Sequence, residues 1–200
     1  MARPTRWQTE TQPGHSQWYI ERFRGMAADG TDLVGEARLV DAMVPRQARI
    51  LDAGCGPGRH ASYLHACGHA VVGVDADPAL IAAARDDHPG PRWLVVDLAD
   101  LDLAAAGETE PFDAILVAGN VMVFLAPETE EDVLRRLRAH LAPEGFVITG
   151  FHLDRHLTLP AFDAAAAAAG LRVEHRFATW DLRAFHDGAD FAVTVLRHRD

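Results

Sequence analysis

A short apolar strand that breaks into a run of glycines constrains this chain more than any other feature. Ala48-Arg49-Ile50-Leu51-Asp52 runs straight into Ala53-Gly54-Cys55-Gly56-Pro57-Gly58, and helical spacing resumes from His60 to Ala66. Glycine lets a backbone turn tightly and approach a ligand with no Cβ in the way. The helix beyond begins with unpaired N–H groups and the positive end of its dipole. The same alternation of strand and helix then repeats. Ala70–Asp75 is a nearly all-apolar strand, of the kind buried on both faces of a parallel sheet. Pro78 opens a helix, Trp93–Asp97 is a third strand, Phe112–Gly119 a fourth and Phe146–Phe151 a fifth. A helix is predicted over Glu128–Leu141, with a turn at Pro143-Glu144-Gly145. An alanine-rich surface helix is predicted over Leu159–Ala169. The strands near Leu171–Thr179 and Phe191–Arg197 have only a loop between them, so they should form an antiparallel hairpin. This order predicts an α/β doubly wound sheet.

Before the first strand, residues to Gly14 read as a loose polar arm. Gln17–Ala28 has apolar residues at helical spacing. Thr31 is the expected cap of a second helix that Pro45 ends. The chain has 200 residues, enough for one domain with its own core. The division expected is a helical lid over 1–45, a ligand-binding core over 46–151 and a substrate-side portion over 152–200.

Composition narrows the partners. The formal net charge is −10 and the arginines are scattered, so no basic tract marks a nucleic-acid face. No apolar run reaches the ~20 residues of a membrane span. The N-terminus, Met1 to Trp7, lacks the apolar stretch of a secretory signal. Two cysteines, Cys55 and Cys67, make no disulfide framework, and a cytoplasmic setting is the expectation. His65 and His69 have no carboxylate or third ligand beside them in sequence, so no metal is expected. The sequence leaves the oligomeric state open.

In an open parallel sheet, ligands bind outside the carboxyl ends of the strands. Asp52–Gly58, Asp75, Asp97 and Gly119-Asn120 all fall at such ends and should converge on one crevice. A carboxylate at Asp75 suits paired ribose hydroxyls, and one at Asp97 suits an adenine amino group. Asp77 is better placed than Asp75 to cap the next helix. The dinucleotide fingerprint wants a third glycine where Arg59 stands, which disfavours a nicotinamide cofactor. A Walker lysine is also missing.

These motifs carry a resemblance. Leu51-Asp52-Ala53-Gly54-Cys55-Gly56-Pro57-Gly58 resembles motif I of class I S-adenosylmethionine-dependent methyltransferases, and Val72-Gly73-Val74-Asp75 the acidic second-strand motif. Asp97-Leu98, Phe112–Ile115 and Leu141–Gly145 are similar to the family's later motifs, in order, from about Ile50 to Phe151. The resemblance implies a Rossmann-like sheet of seven strands, mostly parallel, with an antiparallel C-terminal strand. It implies S-adenosylmethionine as cofactor and a methyl transfer to an acceptor, expected to be a small molecule. Asp52, Gly54 and Gly56 would hold the methionine portion, Asp75 the ribose, and Asp97 with Leu98 the adenine. Ala53, Cys55, Gly58, Ala76, Ala118 and Asn120 belong to the same expected cofactor site. The fourth strand ends in Ala118-Gly119-Asn120-Val121, which departs from the motif of nucleobase amino-methylating enzymes. His152 and His186 are the candidate bases. Tyr19, Arg22 and Trp180 are the candidate acceptor contacts. A cofactor-binding module without turnover, on the same fold, is the alternative.

Overall fold

In the computed structural model, which describes residues 3–199, seven strands form one sheet in the order β3-β2-β1-β4-β5-β7-β6. Met1 and Ala2, the first residues of the N-terminal reading, lie outside the described residues, as does Asp200. The strands are β1 (Arg49–Ala53), β2 (Ala70–Asp75), β3 (Arg92–Val95), β4 (Phe112–Val117), β5 (Leu141–His152), β6 (Leu171–Phe177) and β7 (Phe191–His198). β1 to β5 pair in parallel, and β7 pairs antiparallel with both β5 and β6. The C-terminal hairpin therefore inserts its second strand between β5 and β6.

Period-two alternation divides the strand residues between two apolar layers. Leu51, Val72, Ile115 and Val147 pack into one, with Val133, Leu134 and Leu137 of α7 (Glu130–Ala139) and Phe162 of α8 (Leu159–Ala168). Ile50, Val71, Ala114, Leu116 and Ile148 pack into the other. That layer takes Ala37 and Val40 of α3 (Gly35–Met43), Ala61 and Leu64 of α4 (Arg59–Ala66), and Ile81 and Ala84 of α5 (Pro78–Asp87). Helices cover both faces, as a parallel sheet requires.

Several local expectations are corrected. The arm before Gly14 is not loose. It contains α1 (Arg6–Glu10), closed by a capping box in which Thr5 and Gln8 exchange hydrogen bonds. α2 spans His15–Ala28. Thr31 does not cap α3, whose N-cap is Val34; the Thr31 N–H instead donates to Met26 O, and Asp32 pairs with Arg38. Pro143–Gly145 lies inside β5, beside a register shift between Phe112 and Ala114 of β4. A four-residue helix, α6 (Val121–Phe124), follows Asn120 and was not expected. The alanine-rich α8 is mainly surface, but Ala166 is buried. His69 is structural: Nδ1 accepts the Ala48 N–H at 3.2 Å, so the N–H is on Nε2, 2.9 Å from Asp41.

Trp93 forms a floor beneath the glycine loop. A Cβ on Gly73 would lie 2.5 Å from Trp93 Cε3 and 3.2 Å from Cys55 Sγ, and one on Gly58 would lie 2.6 Å from Trp93 Cη2. Gly73→Ala is therefore expected to lower the unfolding free energy by about 1–3 kcal/mol through overpacking, read from urea titrations. Trp93→Leu should relieve part of that loss in the double variant. An unchanged midpoint for Gly73→Ala would show that the indole moves aside freely.

Candidate functional site

The carboxyl ends of β1, β2 and β4 and the residues just beyond β3 open onto one crevice. Gly54 and Gly56 line it from the β1–α4 loop. Asp75 and Ala76 line it from the end of β2, and Asp97 and Leu98 from beyond β3. Gly119 and Val121 line it from the end of β4. Thr5, Trp7 and Tyr19 of the N-terminal segment form a further wall, with Leu80, Phe124 and Leu125.

The loop is fastened by backbone bonds. Gly54 and Cys55 N–H both donate to Val74 O, at 2.8 and 2.9 Å, and Gly56 N–H donates to Asp75 Oδ2 at 2.9 Å. Gly54, Gly56 and Gly58 all have positive φ, which glycine alone adopts without strain. At Gly54 space also demands glycine, because a Cβ would lie 2.8 Å from Val121 Cγ1. A Cβ on Gly56 would meet only Tyr19 Cε1 at 3.7 Å, and one on Gly119 would project into open space. The cradle left by these two residues belongs to the crevice.

Asp75 Oδ1 accepts the Asp77 N–H at 2.9 Å. Each oxygen thus holds one N–H and keeps lone pairs for a ligand. Burial raises its pKa from 3.8 to about 6, only partly opposed by the N–H groups of Asp77 and Gly56. Asp77 is the N-cap of α5, accepting from Ala79 N–H, and it also anchors the N-terminal wall. Its Oδ2 accepts from Trp7 Nε1 at 3.0 Å and from Ser16 Oγ. Asp97 accepts the Ala99 N–H and starts a 3-10 turn over Leu98–Asp100.

Other expected residues stand outside the lining. Asp52 is buried beneath the loop and accepts the Ala61 N–H at 3.1 Å; burial raises its pKa against the opposing influence of His60 and Arg59. Ala53, Cys55 and Ala118 are buried. Burial also pushes the Cys55 thiol up, so it stays unionised. Gly58 is occupied with Trp93 below it. Asn120, at φ 66°, turns its Oδ1 to the His152 N–H at 2.8 Å, fixing the end of β5. The His152 ring sits edge-on to Phe191, and His186 is exposed on the β6–β7 loop. Arg22 lies over the exposed Trp18 ring. Trp180 packs against β5, where a Cβ on Gly150 would come within 2.7 Å of its Cε2. Of the three acceptor candidates, Tyr19 alone reaches the crevice. Thr5, Trp7 and Phe124 also line it and were not foreseen. The Thr5-x-x-Gln8 spacing was the one sequence signal for the first two.

A carboxylate in an apolar slot, beside a glycine cradle, suits a nucleoside whose paired hydroxyls donate to it. Comparison with known proteins agrees. Residues 50–145 match a family described as a methyltransferase domain. A crystal structure of a TehB-like S-adenosylmethionine-dependent methyltransferase from Corynebacterium glutamicum is 43% identical. It superposes with a TM-score of 0.88 over 94% of this chain and 100% of that one. Trans-aconitate 2-methyltransferase of Delftia acidovorans is 36% identical over 52% of this chain and 38% of its own length. Hemagglutinin 1 of Eikenella corrodens is 29% identical over 69% of this chain and 42% of its own length. The chain thus spans about two fifths of these two curated relatives.

This chain belongs to the S-adenosylmethionine-dependent methyltransferases. Its seven-stranded sheet is the Rossmann-like sheet of that class, and S-adenosylmethionine is the cofactor that membership assigns.

In the ligand-free protein the Asp75 carboxyl should titrate near pH 6. Its folded pKa lies above its unfolded one, so its stabilising contribution is full below about pH 4 and lost as pH rises through 6. Asp75→Asn cannot ionise. Relative to wild type it should gain up to roughly 3 kcal/mol between pH 4 and pH 8, measured by denaturant unfolding across that range. A pH-independent difference would show that the carboxyl is ionised throughout.

Proposed function

We propose that this protein transfers a methyl group from S-adenosylmethionine to a small-molecule acceptor. The reading rests on one observation above the others: residues from the ends of four neighbouring strands meet in a single crevice. In this reading Asp75 accepts the ribose hydroxyls, and Asp97 with the Leu98 backbone faces the adenine. Ala76, Leu80, Val121, Phe124 and Leu125 give apolar cover, which excludes water from the base and strengthens the polar contacts at its edge. Gly54 and Gly56 let the backbone approach the remainder of the cofactor. Asp52 acts from below by holding the first turn of α4 through Ala61.

S-adenosylmethionine, when bound, supplies a methyl carbon already activated by its sulfonium. The protein's task is then largely alignment of the acceptor. Among the described residues, the crevice lining includes no histidine. The acceptor we propose therefore brings its own lone pair near neutral pH, as a carboxylate, a thiolate or an unprotonated amine does. The Delftia acidovorans relative is named for action on trans-aconitate, a small molecule with carboxylates, which supports the first of these. Trp7 and Tyr19 wall the crevice from the N-terminal side and are the side chains we assign to acceptor selection.

Calorimetric titration of S-adenosylhomocysteine into wild type and Asp75→Ala tests the cofactor half. The wild type should bind in the micromolar range. Loss of two charge-assisted bonds should cost the variant on the order of 2–4 kcal/mol. Wild-type affinity should also weaken toward pH 5, approaching about tenfold per unit below the Asp75 pKa. A folded wild type that binds neither S-adenosylmethionine nor its product would sink the reading. Product detection with carboxylates, thiols and amines separates an enzyme from a binding module: binding without turnover on any of the three favours the module.

A further inference from the structure

Arg59 occupies the position that separates this loop from a dinucleotide fingerprint, and the cofactor contacts above leave it unused. It is the first residue of α4, where the helix end is positive and a cation is disfavoured. It does not escape to solvent, since its side chain is only 17% exposed. Three groups from two N-terminal helices and the turn between them hold it instead. Nε donates to Leu33 O at 3.1 Å, and Glu36 of α3 lies 3.7 Å from a terminal nitrogen. The guanidinium lies 4.7 Å from the centre of the Phe23 ring of α2. Burial works against a charge on Glu36, but His60 and Arg59 favour it, and its pKa falls to about 2. Arg59 thus has a permanent counter-charge.

The chain of contacts runs on into the crevice. Phe23 packs 4.6 Å, ring to ring, against Tyr19, and Tyr19 stands over Gly56. One side chain from the cofactor loop therefore grips α2 and α3 together and sets where Tyr19 lies. A local rule broken at the start of α4, with compensating partners on another element, marks a position kept for more than helix stability.

We propose that Arg59 is a positioning residue that, both through Phe23 and directly at the Tyr19 phenol, fixes Tyr19 over Gly56 and so shapes the end of the crevice that receives the amino-acid portion of the cofactor. The inference rests on the methyltransferase reading. Asp75 and Asp97 serve the nucleoside end, so adenosine and S-adenosylhomocysteine report on the two ends separately.

The experiment is calorimetric titration of both ligands into wild type, Arg59→Gln, Arg59→Lys, Tyr19→Ala and the Arg59→Gln/Tyr19→Ala double variant. Hydrogen exchange of residues 15–28 is measured alongside in the ligand-free proteins. A lost cation–π contact and its ordering effect should weaken S-adenosylhomocysteine by about tenfold in Arg59→Gln, and leave adenosine within about twofold. Arg59→Lys keeps the charge but not the flat stack, so its loss should be smaller, about threefold. In the Tyr19→Ala background, Arg59→Gln should change affinity by less than about twofold, because its effect passes through the missing ring. Exchange in α2 should quicken in both Arg59 variants. Equal weakening of both ligands, additive losses, or unaltered exchange in α2 would each overturn the proposal. A wild type that binds neither ligand would overturn the methyltransferase reading, and the exchange data would still decide whether Arg59 orders α2.

Discussion

Three N–H groups of the glycine loop are fastened to the end of the neighbouring strand, and the site depends on that stitching. Gly54 and Cys55 donate to Val74 O, and Gly56 donates to the Asp75 carboxylate. β1 and β2 are already paired in register from Arg49↔Ala70 to Ala53↔Val74. The loop therefore inherits its position from the sheet, and its own residues need only permit the turn. That is why the glycines matter through their positive φ and the absence of a Cβ. It is also why Asp75 has two roles, holding the loop with one oxygen and the start of α5, through the Asp77 N–H, with the other. A carboxylate drawn this far into protein is raised toward neutrality, and a ligand that donates hydrogen bonds to it favours its charged form.

The strand-end part of the crevice lining was legible in the sequence because strand ends in a parallel sheet are placed by topology. A run such as Val71-Val72-Gly73-Val74 has no alternative to burial on two faces, and whatever follows it must emerge at the rim. Asp75 and Asp97 are at that rim for this reason. Asp52, by contrast, is the last polar residue of a strand that continues to Ala53, so it lies one layer below and meets Ala61. Sequence position alone does not separate those two depths.

The N-terminal wall was the least legible part. Residues before Gly14 are mostly polar, and Trp7 is their one aromatic side chain. Helical periodicity has nothing to work with there. α1 is ordered instead by a capping box and by tertiary anchors: Trp7 Nε1 on Asp77, and the Trp7 ring edge-on to Tyr19 and Phe124. Those partners are 70, 12 and 117 residues away, so no short window of sequence contains all three. Trp180, a candidate acceptor contact, is likewise placed by a partner distant in sequence. Gly150 gives its indole a place against β5, where it is half-buried, and apolar surface packed against backbone is worth more than the same surface in water.

The match to the methyltransferase domain covers 50–145, and the strand-end residues that line the crevice fall inside it. Thr5, Trp7 and Tyr19 fall outside it, yet they line the same crevice. A description shared across a family captures what its members hold in common, here the strand ends and the glycine turn. Asp77 joins the two parts, since one carboxylate caps α5 on the shared side and receives Trp7 and Ser16 from the other. A wall anchored two residues from Asp75 is set relative to that carboxylate. The Asp77 carboxylate and the Trp7–Tyr19 ring contact carry that placement on to α2 as well.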